Sequence, residues 1–249
     1  MWTLDPGAPV PLWRHSGATG AILGFSTRRG GVSLPPYDTL NLGRSTGDRP
    51  EAVTENRARL LAALDLAPDR LATAGQVHGA TVTEAMGPGH HAGCDVLLTR
   101  SPGLALAVAG ADCMPLLLVA PGAVAAAHSG WRGTESGAPR AAVRALLSAC
   151  GADPGRVEAH IGPCIRSCCY VVGPEVASRF PEAAVSRPDG AWHLDLPMAA
   201  RLQLRAEGVP DRAIADTGAC TACDPARYFS HRRDAGLTGR HWGIVALRE

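Results

Sequence analysis

This 249-residue chain contains no lysine; all 24 of its basic residues are arginine. That absence excludes chemistry built on an amine: Schiff bases, lysine-bound pyridoxal phosphate and the lysine of a Walker phosphate loop. Any clamp on an anion must use guanidinium groups, whose planar fork suits phosphate. No apolar run approaches the roughly twenty residues of a membrane-spanning helix. Net charge is only +1, so neither nucleic acid nor an anionic membrane is indicated as the main partner. A small-molecule substrate is the expectation, with no sign of a particular oligomeric state. The opening MWTLDPGAPVPLWRHSG lacks the basic lead and apolar core of an export signal. Eight cysteines without such a signal fit a reducing cytoplasm, where they serve as core residues, ligands or nucleophiles rather than disulfides.

What the chain has is apolar: 46% of its residues, with length enough for a real core. The organising stretch is Leu104–Gly133, where LALAVA, PLLLVA and AVAAA are short continuous apolar runs. Such runs read as strands covered on both faces. Further strands are expected at Ala21–Thr27, Leu71–Val77, Thr81–Ala85 (paired with Leu71–Val77), Cys94–Thr99, Arg156–Ile161, Ala213–Asp216 and Trp242–Leu247. Helical spacing predicts helices at Glu51–Leu64, Pro139–Cys150, Pro174–Phe180 and Leu196–Gly208, the last stopped by its glycine. MGPGHHAG reads as a turn. RRGGVSLPPYDTLNLG, GPCIRSCCYVVG and CDPARYFSHRRDAGLTGR read as long loops, which inside a compact domain are often functional. With no repeat or linker, the pattern is that of one α/β (α+β) domain over residues 1–249, a mixed β-sheet core wrapped by helices.

Three reactive side chains stand at strand ends. His78 follows the Leu71–Val77 run, Cys113 follows LALAVAGAD, and His128 closes AVAAA. One thiolate and two imidazoles make a sound zinc set, three protein ligands with the fourth position free. The same atoms could act without metal, Cys113 as thiolate nucleophile and His128 as its base. Asp112 is a weak orienter for Cys113, because neighbours on a strand point to opposite faces. Asp95 reads as a strand-start or hydrogen-bonding residue, and His90-His91 as solvated. Cys220-Thr-Ala-Cys223 has metal-finger spacing but no second pair at a suitable distance; Cys164, Cys168 and Cys169 could supply a partner set for structural zinc, although burial or chance is the simpler reading. Arg28-Arg29, Arg132, Arg232-Arg233 and Arg240 lie in glycine-rich loops that could close on phosphate or carboxylate.

Taken in order, STRRGGVSLPPYDTLNLG, GQVHG, ADCMPLLL, AAAHSGWRG, IGPCIRSCCYVVG and FSHRRDAGLTGR resemble the YfiH/laccase-domain family. Its members are variously called polyphenol oxidase, purine nucleoside phosphorylase and peptidoglycan editing factor. The likeness spans Ala21 to Leu247. It implies a fold similar to the cytotoxic-necrotizing-factor deamidases and one metal held on His78, Cys113 and His128, with zinc the first choice and copper the second. It also implies substrate-binding roles for Arg28, Asn41, Arg232, Arg233 and Arg240. Gly110, Ser129, His231 and Arg166 depart from the family pattern without removing a ligand; Arg166 could narrow or recharge the pocket. The activity implied first is phosphorolysis of adenosine, inosine and methylthioadenosine, with adenosine deamination. The second is a peptidoglycan-editing amidase acting on a muropeptide precursor through Cys113 and His128 or through zinc. Copper-dependent phenol oxidation ranks third, since nine scattered histidines are few for a multicopper oxidase. A non-enzymatic zinc module ranks last.

Overall fold

The central apolar runs sort their side chains by parity. In the strand Met114–Ala120, Met114, Leu116 and Leu118 join one buried cluster and Leu117 and Val119 another. In Ala123–Ser129, Ala123, Ala125 and Ala127 go with the first cluster, Val124 and Ala126 with the second. Alternation of this kind is what a period-two strand dictates, hidden in the sequence because both faces are apolar. The first cluster is covered by Val143 and Leu146 of the helix Ala138–Cys150 and by Leu204 of the helix Leu196–Ala206. The second is shared with Phe25, Leu106, Val108 and Val245, which belong to another sheet. The far face of that sheet, through Ala105, Ala107 and Ile244, packs on Leu60 and Leu61 of the helix Pro50–Ala63. The layers therefore run helix, sheet, sheet, helices. A fully buried leucine between them contributes about 1.5–3 kcal/mol.

The computed structural model describes residues 1–17 and 20–248. One sheet has seven strands in the order Trp2–Leu4, Leu12–His15, Ala21–Ser26, His241–Leu247, Ala105–Gly110, Leu71–Ala74 and Gly89–His91. The other has six: Ile214–Asp216, Glu158–Ile161, Met114–Ala120, Ala123–Ser129, Val96–Thr99 and Val82–Glu84. Val171–Val172, Trp192–Leu194 and Val185–Ser186 make a small third sheet. Among the described residues no helix is long and apolar enough to cross a membrane.

The mixed α/β expectation holds, with the expected sheet divided into two stacked ones. The predicted helices are present within a few residues of their expected ends, and Gly208, at φ +88°, follows the helix Leu196–Ala206. Two expectations change. Val82–Glu84 pairs with Val96–Thr99 and not with Leu71–Ala74, because the segment between them crosses from one sheet to the other. Gly89–His91, expected as a turn, is an edge strand parallel to Leu71–Ala74.

That crossing positions the chemistry. Leu71–Ala74 and Ala105–Gly110 run parallel, so their C-terminal ends lie together at one end of the sandwich. Both then hand the chain to the six-stranded sheet, one through the segment holding His78, the other through Asp112-Cys113. Met114–Ala120 is antiparallel to Ala123–Ser129, with His128 opposite Pro115 and Ser129 opposite Met114, so His128 returns beside Cys113.

Candidate functional site

The donor atoms of His78, Cys113 and His128 all lie within 4.8 Å of one another. The two imidazoles meet edge to face with ring centres 4.9 Å apart. The residue that organises them is Asp95, fully buried at the head of Val96–Thr99. Its carboxylate accepts N–H groups from Val77, His78 and Gly79 at 3.1, 3.0 and 2.7 Å, and the His128 Nδ1–H at 2.8 Å. Four bonds fill the acceptor capacity of a carboxylate. They also fix a proton on His128 Nδ1 and turn Nε2 toward the thiol, the nitrogen that would serve a metal. The backbone is tight here: Gln76, His78 and Asp112 have φ of +40°, +62° and +89°, conformations that non-glycine residues adopt only when surroundings impose them. Gln76 is held by both Ala109 backbone groups.

Electrostatically, Cys113 and His128 form a pair. Burial pushes the Cys113 thiol up, but His128 and then His78 outweigh it and bring it down to about 6. Burial pushes His128 down, while the Cys113 thiolate and Asp95 raise it to about 9. Burial acts upward on Asp95 too, yet the His128 and backbone hydrogen bonds hold it below the usual carboxylate value. The site thus favours an ionised sulfur at neutral pH, the state in which sulfur ligates a metal or attacks. A Cβ on Gly130 would come within 2.7 Å of Cys113 Sγ and 3.6 Å of His78 Nδ1. Glycine keeps a space between the donors that any side chain would fill. Two imidazoles and a thiolate around such a space suit zinc, and copper as well.

The triad opens into a cleft of about 900 Å³. Five guanidinium-bearing residues line it: Arg44, Arg57, Arg132, Arg232 and Arg240. Arg44 and Arg132 have no side-chain hydrogen-bond partner among the described residues, although Arg132 stacks on Trp131 at 4.3 Å. Arg57 lies over Trp242 at 4.5 Å and donates to the Leu42 carbonyl; burial, then Arg44, pushes it down to about 10. Arg240 donates to the Thr238 and Gly239 carbonyls. Arg232 lies 5.0 Å from the Tyr170 ring centre and donates to the Val171 carbonyl. Burial and the Cys113 charge push the Tyr170 phenol up to about 12, so it stays protonated as a donor.

Asp112 does not reach Cys113. It takes the Thr221 hydroxyl at 2.6 Å and the Arg232 N–H at 2.7 Å, stapling the loop that carries Arg232 to the crossing segment. Of the other positions singled out in the sequence, Arg28 pairs with Asp38 at 3.0 Å and lies over Phe229. Asn41 is buried, bonded to Thr46, Asp48 and the Arg240 N–H. Arg233 pairs with Asp234 and binds the Thr221 and Tyr228 carbonyls. None of these three lines the cleft. Arg166 is paired in both prongs with Asp216 at 2.8 and 2.5 Å, so its charge is directed away from the cleft. His90 is exposed, as expected, and also lines the cleft. Arg44, Arg57, Gln76 and Tyr170 were not legible as cleft residues; on a helix face or in a loop, nothing marks such a side chain as inward.

Residues 22–248 match the family described as multi-copper polyphenol oxidoreductase laccase. A protein of Deinococcus radiodurans named purine nucleoside phosphorylase is 44% identical over 229 residues, 90% of this chain and 88% of its own. The purine nucleoside phosphorylase YlmD of Geobacillus stearothermophilus is 37% identical, covering 95% of each chain. The crystal structure of YlmD superposes with a TM-score of 0.92 at 34% identity over the whole of both chains. That of the Bacillus licheniformis hypothetical protein YfiH gives 0.90 at 30% identity, over 98% of this chain and 99% of the other.

Proposed function

The chain belongs to the multi-copper polyphenol oxidoreductase laccase family, and from that premise we propose that it is a zinc-dependent purine nucleoside phosphorylase. The observation that carries the reading is one cleft with the His78/Cys113/His128 donor set at its floor and five arginines around it. Relatives named purine nucleoside phosphorylase at 37–44% identity support the substrate class. The reaction takes adenosine, inosine or methylthioadenosine with orthophosphate. The C1′–N9 bond breaks, a phosphate oxygen bonds to C1′, and the base leaves with a proton as (methylthio)ribose 1-phosphate forms.

His78, Cys113 and His128 would hold the ion, which supplies a Lewis acid with an open coordination position. Asp95 fixes the His128 tautomer and, through three backbone N–H groups, the loop that carries His78. Arg44 and Arg132, with no side-chain hydrogen-bond partner among the described residues, are the groups suited to take phosphate in bidentate fashion; no lysine is present to compete. Positioning against C1′ is the main contribution such a clamp makes to rate. The protonated Tyr170 can donate to the nucleoside. Adenosine deamination, in which water oxygen replaces the C6 amino group and ammonia leaves, is the second activity assigned to the same floor.

The test is to incubate metal-verified protein with adenosine and phosphate and identify products. Adenine and ribose 1-phosphate, lost on chelation and restored by zinc, are expected. Failure to release base, with release of serine from a UDP-muramoyl-serine precursor, would overturn the reading for the amidase. A hydrolase relying on the Cys113–His128 pair would also stay active without metal and have Cys113 as its most reactive thiol. The zinc enzyme should protect Cys113 from iodoacetamide until chelated, as read by peptide-resolved mass spectrometry.

A further inference from the structure

Outside the triad the molecule gathers four more sulfurs. The main chains of the CIRSCCYVVG and CTACDPAR loops lie side by side at Cys164 and Cys220, joined by the Thr221 N–H to the Cys164 carbonyl at 3.0 Å and the Cys164 N–H to the Ala219 carbonyl at 3.3 Å. Cys164 itself is buried in the core beneath the six-stranded sheet. The pairing brings the Cys168-Cys169 turn over Cys220 and Cys223, so that all four Sγ atoms lie within 4.8 Å of one another. Cys168 to Cys223 is 3.5 Å, Cys169 to Cys223 is 3.3 Å, and Cys168 to Cys169 is 3.8 Å.

These spacings suit one kind of occupant. A disulfide needs its sulfurs about 2.0 Å apart. A tetrahedral ion with metal–sulfur bonds of about 2.3 Å places its thiolates about 3.8 Å apart. A polynuclear iron–sulfur cluster spreads four sulfurs wider than this group, since several irons sit between them. Four neutral thiols gain little from crowding together, being weak donors and weak acceptors. Cys168 and Cys223 are exposed, which leaves an ion a way in.

We propose that Cys168, Cys169, Cys220 and Cys223 form a tetrathiolate site for a structural zinc ion, independent of His78, Cys113 and His128. Its effect is to clamp two loops that form one wall of the cleft. Ile165 and Tyr170 come from the first, and the second leads through Thr221, which holds Asp112, to Arg232. The ion cross-links the wall where the loops have little regular structure to do so.

Metal counting under reducing conditions tests this apart from any activity. Wild-type protein should carry about two zinc ions per chain, and H78A/H128A about one, the full tetrathiolate complement. Cobalt added to H78A/H128A should give the intense thiolate-to-metal charge-transfer band of a four-sulfur site, and C168S should weaken that band. Chelation of H78A/H128A should lower its melting temperature, because an ion bound only by the folded state stabilises it. C220S/C223S should lose one zinc while keeping the ion of the triad; if that variant fails to fold, C168S and the cobalt spectrum still decide. Folded H78A/H128A without zinc or a cobalt band, or a disulfide mapped among the four cysteines of the purified protein, would overturn the proposal.

Discussion

His78, Cys113 and His128 gather at strand ends around Asp95, which takes four hydrogen bonds, two of them from His78 and His128; the four cysteines come from two loops and, among the described residues, share no carboxylate. The first cluster is held in place by the protein, with strained backbone on either side and Gly130 leaving the space between its donors. The second is held by main-chain pairing at a single point and is open to solvent at Cys168 and Cys223. The difference teaches what each geometry is for. A site that does chemistry must fix its donors while leaving a position open, so sheet ends and a buried carboxylate supply the rigidity. A site that cross-links loops takes its rigidity from the ion.

The largest expected effect falls on the rigid side. H128A should strip the triad of zinc and reduce phosphorolysis by well over about 100-fold, the upper end of what losing a ligand's supporting carboxylate costs. D95N should cost about 10–100-fold in zinc affinity there while leaving the four-cysteine zinc in place. Paired zinc analysis and kinetics on both variants check this. Loss of both ions in D95N would break the distinction between the clusters.

How much of this was written in the sequence follows the same divide. Short apolar runs marked the central strands, and the reactive residues at their ends named the triad before any geometry. Its support was not legible: an aspartate ahead of VLLT looks like any strand start, and only tertiary contact shows its four bonds. The division into two sheets was hidden because Leu116 and Leu117 are equally apolar although they face different layers. Gly89–His91 was missed as a strand because nothing in Gly-His-His favours one; pairing with Leu71–Ala74 imposes it. The sequence raises the cysteine cluster but does not sustain it, because each half, a vicinal pair and a C-x-x-C, falls short of a site alone. Chain crossing, which spacing does not encode, joins them.

A smaller effect separates the arginines. R132K keeps the charge but loses the fork, so the phosphate KM should rise by about tenfold or more, one charge-assisted hydrogen bond being worth about 1.5–3 kcal/mol. Deamination, which uses no phosphate, should be unchanged. R28K, altering a guanidinium already tied to Asp38, should leave the phosphate KM alone. Steady-state kinetics of the two reactions in each variant check the contrast, and a shared rise in R132K and R28K would erase it.

The smallest effect concerns protons and reaches the loop side through His241. This buried histidine accepts the Phe229 N–H at Nε2, 2.8 Å away, which requires that nitrogen to be unprotonated. Burial first, then the charges of Arg28, Arg240 and Arg233, hold its pKa down to about 3 against the Gly110 hydrogen bond. The unfolded chain binds this proton near pH 6.5, so between 6.5 and about 3 it carries more protons than the folded one. Stability is therefore complete above that window and falls as pH drops through it, by about 1.4 kcal/mol per pH unit for each such histidine. His160, buried with neither ring nitrogen hydrogen-bonded among the described residues, Glu158 Oε2 lying 3.6 Å from its Nε2, is also held down to about 3 and adds a second contribution of the same sign. H241Q can keep an acceptor for Phe229 and has nothing to titrate, so the acid limb should lose one histidine's slope and retain that of His160. Urea unfolding of wild type and H241Q across this pH range measures the difference. Parallel acid limbs would show that the loop wall owes nothing to a histidine held neutral.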